Sequence, residues 1–92
     1  MSALRPVAVV TGGARRLGRQ LCMTLAARGF DLVILYRESR RDAQSLEQEI
    51  AALRLGGHTR SLSVDISDKI QVETLFNDVA STEGRLDLLI NN

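Results

Sequence analysis

The stretch TGGARRLG, residues 11–18, combines three glycines with two adjacent arginines directly behind a short apolar run. A glycine-rich turn between a strand and a helix exposes backbone N–H groups, and the dipole of the following helix favours an anion there. Guanidinium groups suit phosphate oxygens because they offer a fork of charged donors. The stretch therefore predicts a phosphate-binding turn, with a plain strand-to-helix turn as the alternative.

Two common phosphate-binding motifs do not match this turn. In the P-loop alignment, Arg19 occupies the lysine position and Gln20 stands where a serine or threonine would hold magnesium. In the dinucleotide fingerprint G-x-G-x-x-G, Ala14 and Leu17 fall where glycine is required. What remains is T-G-x-x-x-R-x-G, in which Gly12 permits a sharp turn and the last glycine lets the helix start close to the strand.

Four short apolar runs alternate with three helical patterns along the chain. The runs cover residues 7–10, 32–36, 61–64 and 88–90, and three of them are nearly continuous in Val, Ile and Leu, as in buried parallel strands. Helices are predicted over about 17–28, from Ser39 to the glycines at 56–57, and from about Ser67 to Gly84. Right-handed crossovers between the strands then predict an α/β fold with a doubly wound parallel sheet. Residues 1–92 are predicted to form a single portion of that fold.

Finer features of the three helices follow from the same patterns. We expect Ser39 and Asp42 to form a capping box at the start of the second helix. The apolar positions expected to face the core are Leu17, Leu21 and Leu25 in the first helix, Ala43, Leu46, Ile50 and Leu53 in the second, and Val72, Leu75, Phe76 and Val79 in the third.

Ligands of doubly wound sheets bind outside the carboxyl ends of the strands, where the strand order reverses. That edge is predicted to carry residues 11–18, residues 37–41, Asp65-Ile66 and Asn91-Asn92. The place of residues 11–18 after the first strand favours a ligand-binding turn over a plain one. The sheet edge is therefore the candidate site.

The composition is that of an ordinary soluble domain. Hydrophobic residues make up 45% and charged residues 25%, which argues against disorder, and the net charge of +1 gives no bulk attraction to nucleic acid or membrane. The single cysteine, Cys22, and the lack of a signal-like or membrane-length segment predict a cytoplasmic protein. We expect Cys22 to pack in the core, His58 to lie at the surface, and no metal site.

Motifs spread along the chain together resemble the short-chain dehydrogenase/reductase family. Residues 11–18 match its T-G-x-x-x-G-x-G motif, except that Arg16 stands at the middle glycine. Val64-Asp65-Ile66 resembles the family's aspartate after the third strand, and residues 84–92, GRLDLLINN, resemble the stretch that ends in N-N-A-G. The arginine variant of the glycine motif and residues 36–39, YRES, are similar to pteridine reductases.

The resemblance implies a Rossmann-type, N-terminal cofactor-binding portion of an NADP-dependent short-chain oxidoreductase. Such an enzyme reduces a carbonyl or C=N bond of a small molecule by hydride transfer, in a pteridine reductase-like or ketoacyl reductase-like reaction. The family's catalytic serine and Y-x-x-x-K residues are expected beyond Asn92, so none is assigned here, and the full-length protein is expected to be a homo-oligomer. A non-catalytic nucleotide sensor or scaffold, and a mononucleotide-binding domain, are the alternatives.

The 92-residue piece by itself is expected to be inactive. Its fourth strand would normally be flanked by further parallel strands, so the piece would leave an apolar sheet edge exposed. We therefore expect residues 1–92 alone to be aggregation-prone or partly unfolded.

The arginines favour NADP over NAD as the cofactor. NAD-binding sheets of this kind usually place an acidic residue about 20 positions after the glycine turn, to hold the ribose 2′-hydroxyl. The family alignment puts Tyr36 there, with Arg37 next, although Glu38 is contrary evidence. Six of the twelve cationic residues fall near this corner: Arg15, Arg16, Arg19, Arg37, Arg40 and Arg41. The predicted cofactor-binding residues are Gly12, Arg15, Arg16, Leu17, Gly18, Tyr36, Arg37, Ser39, Asp65, Ile66, Asn91 and Asn92.

Overall fold

Four strands alternate with three helices in the computed structural model, which describes residues 5–14 and 16–92. The elements are β1 (Val7–Thr11), α1 (Arg16–Ala27), β2 (Asp31–Tyr36), α2 (Arg40–Ala52), β3 (Thr59–Ser63), α3 (Lys69–Thr82) and β4 (Leu88–Asn91). All strand pairs are parallel, in the order β3-β2-β1-β4. The predicted α/β fold with a parallel sheet is confirmed, and the strand order reverses between β1 and β4.

The two central strands are buried because helices cover both faces of the sheet. Successive side chains of a strand point to opposite faces, so one strand contributes side chains to two hydrophobic cores. On one face Ala8 and Val10 pack with α1 and α2, and on the other Val9 packs with Leu75 and Val79 of α3. This double burial is why β1 and β2 have continuous apolar sequences, whereas the half-buried β3 at the sheet edge is more polar.

The buried stripe of α1 differs from the prediction. Gly18, Cys22 and Ala26 face the sheet, whereas Leu17 is 66% exposed and Leu21 and Leu25 are only partly buried. Both stripes have the same four-residue spacing and are offset by one position, so periodicity alone does not choose between them. The small residues face inward because α1 begins in close contact with the turn after β1.

The starts of α2 and α3 also differ in detail from the sequence prediction. Ser39 is the N-cap of α2 but makes no side-chain cap hydrogen bond, so the predicted capping box with Asp42 is wrong. The ψ angle of Ser39 is 50°, outside the extended conformation in which a cap hydroxyl reaches the first turn. For α3 the cap is Asp68, whose carboxylate accepts from the backbone N–H groups of Ile70 and Gln71.

Apolar side chains remain exposed along β4, on the adjacent side of α3 and at Ile66, which precedes α3. Leu89 is 50% exposed and Ile66 54%, and the predicted core residue Phe76 is 37% exposed. Within residues 5–14 and 16–92, β4 pairs with β1 on one side only. Its start is fixed by Asp87, whose carboxylate accepts the Val7 N–H at 2.8 Å and whose N–H donates to the Val7 carbonyl.

No helix in the described part of the chain is both long enough and apolar enough to span a membrane.

Candidate functional site

A polar clasp joins the carboxyl ends of β1 and β4. The hydroxyl of Thr11 donates to Oδ1 of Asn91 at 3.0 Å and accepts the backbone N–H of Asn92 at 3.0 Å. The Asn92 amide Nδ2 also donates to the Gly12 carbonyl at 3.3 Å. The two asparagines predicted as site residues therefore hold the glycine turn against the point where the strand order reverses.

The first and last glycines of the T-G-x-x-x-R-x-G turn are required by its geometry. Gly12 has a φ of +63°, a left-handed conformation that glycine adopts without a Cβ penalty. A Cβ on Gly18 would clash with the Gly12 carbonyl oxygen and lie 2.7 Å from Asn92 Nδ2. Only glycine allows the start of α1 to approach the turn this closely, which brings the unpaired N–H groups of the helix to the ligand edge.

Arg16, at the middle position of the motif, keeps a glycine-like backbone. Its φ is +51°, which costs an L-residue roughly 1–2 kcal/mol compared with a right-handed conformation. Arg16 is exposed, as is the neighbouring Leu17. The predicted site residue Arg15 lies outside the described residues.

Cys22 supports the same turn from behind. Its Sγ lies 3.7 Å from the Gly13 carbonyl, to which the thiol donates, and the side chain is fully buried, as expected. Burial raises the pKa of Cys22 to about 12, so the thiol stays protonated at neutral pH. Its role is packing rather than nucleophilic chemistry.

A second set of predicted residues meets at the end of β2. Tyr36, Arg37 and Ser39 border one cleft together with Glu38, Gly12 and Ala14. The Arg37 side chain is 71% exposed, and its Nη2 lies 3.3 Å from Oδ2 of Asp65. The hydroxyl of Tyr36 accepts from Nε of Arg40 at 3.4 Å. The structure thus brings Tyr36, Arg37 and Ser39 next to the glycine turn, as the neighbouring positions of β1 and β2 require.

Asp65 is held at the end of β3 by the turn that leads into α3. Its Oδ1 accepts from the backbone N–H of Ser67 at 3.0 Å and from the Ser67 hydroxyl at 2.7 Å. These two bonds, and to a smaller extent the charge of Arg37, hold the pKa of Asp65 below its usual value, so the carboxylate is ionised. Asp65 and Ile66 border a cleft that also includes Gly12, Tyr36, Arg37 and Asn92.

Arg19 differs from the other arginines near this edge. Its guanidinium contacts Glu49, the Ser45 hydroxyl at 3.4 Å and the Asp42 carbonyl at 3.4 Å. Arg19 therefore ties α1 to α2, and its charge is already paired. Because its charge is already paired, Arg19 does not contribute to the group of arginines expected to bind a phosphate near this edge.

Ser67 was not among the predicted site residues, although it fixes Asp65. The sequence signal for Ser67 was the spacing Asp-x-Ser, because an aspartate commonly accepts the N–H two residues later in a turn.

Within the described residues, no group of three or more His, Cys, Asp or Glu side chains could hold a metal ion.

Comparison with known proteins matches this architecture to one family. The family model described as short chain dehydrogenase matches residues 6–92. The chain belongs to the short-chain dehydrogenase/reductase family. Its sequence is 30% identical to the short-chain dehydrogenase/reductase homolog YusS of Bacillus subtilis over 92 residues, which cover all of this chain and 83% of that protein.

Longer relatives match over the same region. The 3-oxoacyl-[acyl-carrier-protein] reductase FabG of Staphylococcus aureus is 32% identical over 92% of this chain and 34% of its own length. The crystal structure of YwfH, described as an NADPH dependent reductase involved in bacilysin biosynthesis, superposes with a TM-score of 0.87 at 32% identity, covering 96% of this chain and 34% of that one. The chain thus spans about a third of the length of these two reductases.

Proposed function

We propose that this chain forms the NADP(H)-binding portion of an oxidoreductase that reduces a carbonyl or C=N group of a small molecule. The observation that carries the proposal is the juxtaposition of the Gly12–Gly18 turn, where an added Cβ would clash, with the exposed guanidinium of Arg37. When bound, the nicotinamide supplies the hydride, and the chain's own residues bind and orient the cofactor.

The glycine turn fits the pyrophosphate common to NAD and NADP. The close approach of Gly18 to Gly12 places the first N–H groups of α1 at the carboxyl edge of the sheet, where they and the helix dipole favour an anion. Arg16 and Leu17 are exposed on this turn, where they can contact the cofactor. We assign Gly12, Leu17 and Gly18 to this half of the cofactor, and the guanidinium groups of Arg15 and Arg16 to the 2′-phosphate.

The end of β2 fits the extra phosphate that distinguishes NADP. Arg37 presents a largely exposed guanidinium beside Tyr36 and Ser39, and such forks bind phosphate oxygens well. Glu38 is exposed in the same cleft and is the residue that would favour a ribose hydroxyl. The NADPH-dependent relative YwfH supports NADP for this chain.

The remaining site residues are assigned to the adenine and the adjoining ribose. Asp65 and Ile66 stand at the end of β3, next to Arg37, where they would border the adenine. Asn91 and Asn92 support the ribose and keep the edge in shape through their bonds to Thr11 and Gly12. Residues 1–92 include no Y-x-x-x-K sequence, since Tyr36 is followed by arginine four positions later, so we assign catalysis to none of them.

The substrate proposal is broad. A ketoacyl reductase-like reaction is supported by the FabG relative, and a pteridine reductase-like reaction by the arginine variant at Arg16 and by residues 36–39. We further propose a homo-oligomeric, cytoplasmic protein when full length.

The test is to measure NADPH and NADH affinities of the full-length protein and of its Arg37→Ala variant. A charge-assisted contact contributes roughly 1.5–3 kcal/mol, so its loss should weaken NADPH binding about tenfold to a hundredfold. NADH binding should change little. Equal affinities in the parent protein would contradict NADP specificity, and tight NADPH binding without turnover of any carbonyl or imine would favour a nucleotide sensor.

A further inference from the structure

We propose that Asp65 is a positioning residue for cofactor selection: it holds the Arg37 guanidinium where the ribose 2′-phosphate is recognised. The inference rests on the proposed function. It assigns to Asp65 a part in distinguishing NADP from NAD, in addition to any contact with the adenine, which the two cofactors share.

The geometry divides the two carboxylate oxygens of Asp65 between two tasks. Oδ1 accepts two hydrogen bonds from Ser67, at 3.0 and 2.7 Å, which fix the orientation of the carboxylate. Oδ2 then faces Arg37 Nη2 at 3.3 Å. The backbone N–H of Asp65 donates to Gln71 Oε1 at 2.9 Å, which ties the same residue to the first turn of α3. The carboxylate and the backbone of Asp65 are therefore both held in place, so Asp65 can order the exposed side chain of Arg37.

Arg37 is the long, exposed side chain that Asp65 would order. It is 71% exposed at the carboxyl end of β2, whereas Asp65 is only 28% exposed. A long exposed arginine loses rotamer freedom when it binds a ligand, and prior ordering reduces that loss. One Nη faces Asp65, and the planar guanidinium has further donors that can reach a phosphate at the same time. Asp65 thus orders Arg37 without using all of its donors.

The two roles of Asp65 predict different results. An adenine contact acts on NADP and NAD equally, because the adenine is the same in both. A contact that acts through Arg37 changes only the binding of the ligand that carries the 2′-phosphate. The ratio of the NADP affinity to the NAD affinity therefore reports the positioning role alone. A general loss of structure would weaken both cofactors and leave this ratio unchanged.

The experiment uses adenosine 2′,5′-bisphosphate and adenosine 5′-monophosphate, which differ only in the 2′-phosphate, and titrates both into the full-length protein by calorimetry. We expect Asp65→Asn to lower the preference for the bisphosphate about threefold to tenfold, as the loss of one exposed ordered contact implies. In an Arg37→Ala background the same change should leave the preference unaltered. Asp78→Asn is the matched control, because Asp78 also pairs with an arginine, Arg60, but that pair lies outside the candidate site. This variant should leave the preference unchanged.

Four outcomes would overturn the inference. Equal weakening of both ligands by Asp65→Asn would restrict Asp65 to the adenine, and an increased preference would show that its charge opposes the phosphate. An effect of Asp65→Asn that persists without Arg37 would show that it does not act through that arginine. A parent protein with no preference for the bisphosphate would instead overturn the proposed NADP specificity, and the inference with it.

Discussion

The two halves of the candidate site are built in different ways. The half after β1 is made of backbone and close packing: Gly12 has a positive φ, Gly18 has no room for a Cβ, and Thr11 ties the turn to β4. The half after β2 and β3 is made of side chains, with Arg37 largely exposed and paired to Asp65. Under the proposed function, the first half would bind the pyrophosphate that NAD and NADP share, whereas the second would recognise the 2′-phosphate that only NADP carries.

This difference predicts how each half responds to mutation. Changes in the packed half should disturb folding and the binding of both cofactors together, because the backbone itself forms the site. Changes in the exposed half should leave folding intact and alter the choice between cofactors.

The largest effect is expected for Gly18→Ala. The added Cβ would meet the Gly12 carbonyl and Asn92 Nδ2, so α1 must move away from the turn. Overpacking of this kind costs about 1–3 kcal/mol, and we expect the upper end because the nearest atom is backbone. Chemical denaturation should show this loss, and calorimetry should show NADPH and NADH binding weakened at least tenfold alike.

Gly29→Ala is the matched control for that change. Gly29 follows α1, and a Cβ there would have nothing within 4 Å, although its φ of +92° makes any side chain unfavourable. This variant should lose roughly 1 kcal/mol of stability and keep normal cofactor affinities. If Gly18→Ala behaved in the same way, the packed half would not depend on close approach.

A smaller effect is expected for Thr11→Val, which keeps the shape of the side chain and removes the clasp. The variant leaves the backbone N–H of Asn92 without its acceptor and Asn91 Oδ1 without its donor. A hydrogen bond contributes about 0.5–1.5 kcal/mol to stability, and both asparagines are exposed to water, so we expect a loss in that range. Thr11→Ser, which retains the hydroxyl, should recover most of that loss in denaturation measurements. Similar stability in the two variants would show that the clasp contributes little.

The sequence was most informative where one physical requirement determines the residue type. The continuous apolar runs of β1 and β2 predicted buried parallel strands, and these strands are buried because helices cover both of their faces. The glycines at positions 12 and 18 predicted a tight turn, because a side chain at either position is unfavourable.

The sequence was less informative where two arrangements satisfy the same pattern. The Leu17 and Gly18 stripes of α1 have equal spacing, and only the distance to the sheet decides between them. Contacts such as Arg19 with Glu49, or Arg37 with Asp65, join residues 28 or more positions apart. They depend on the exact placement of two elements, which local patterns do not specify.

The smallest effect on folding is expected at Arg16. This residue combines a backbone that belongs to the packed half with a side chain that is exposed like those of the other half. Its backbone belongs to the packed half, with a φ of +51° at a position where the family motif has glycine, and its side chain is exposed. Arg16→Gly should relieve about 1–2 kcal/mol of backbone strain, but the greater freedom of glycine in the unfolded chain offsets about 0.5–1 kcal/mol of that gain. We therefore expect a stability increase of at most about 1 kcal/mol in denaturation measurements.

Cofactor binding by the same variant should change in the opposite direction. If the Arg16 guanidinium contacts the 2′-phosphate, its loss should weaken NADPH binding about tenfold or more and leave NADH binding nearly unchanged. Arg16→Ala separates the two contributions, because alanine removes the charge but keeps a Cβ at a positive φ. It should therefore lose NADPH affinity to the same extent without the gain in stability. Weakening of both cofactors alike would place Arg16 with the shape-specific half instead, and an unchanged NADPH affinity would leave it a solvated turn residue.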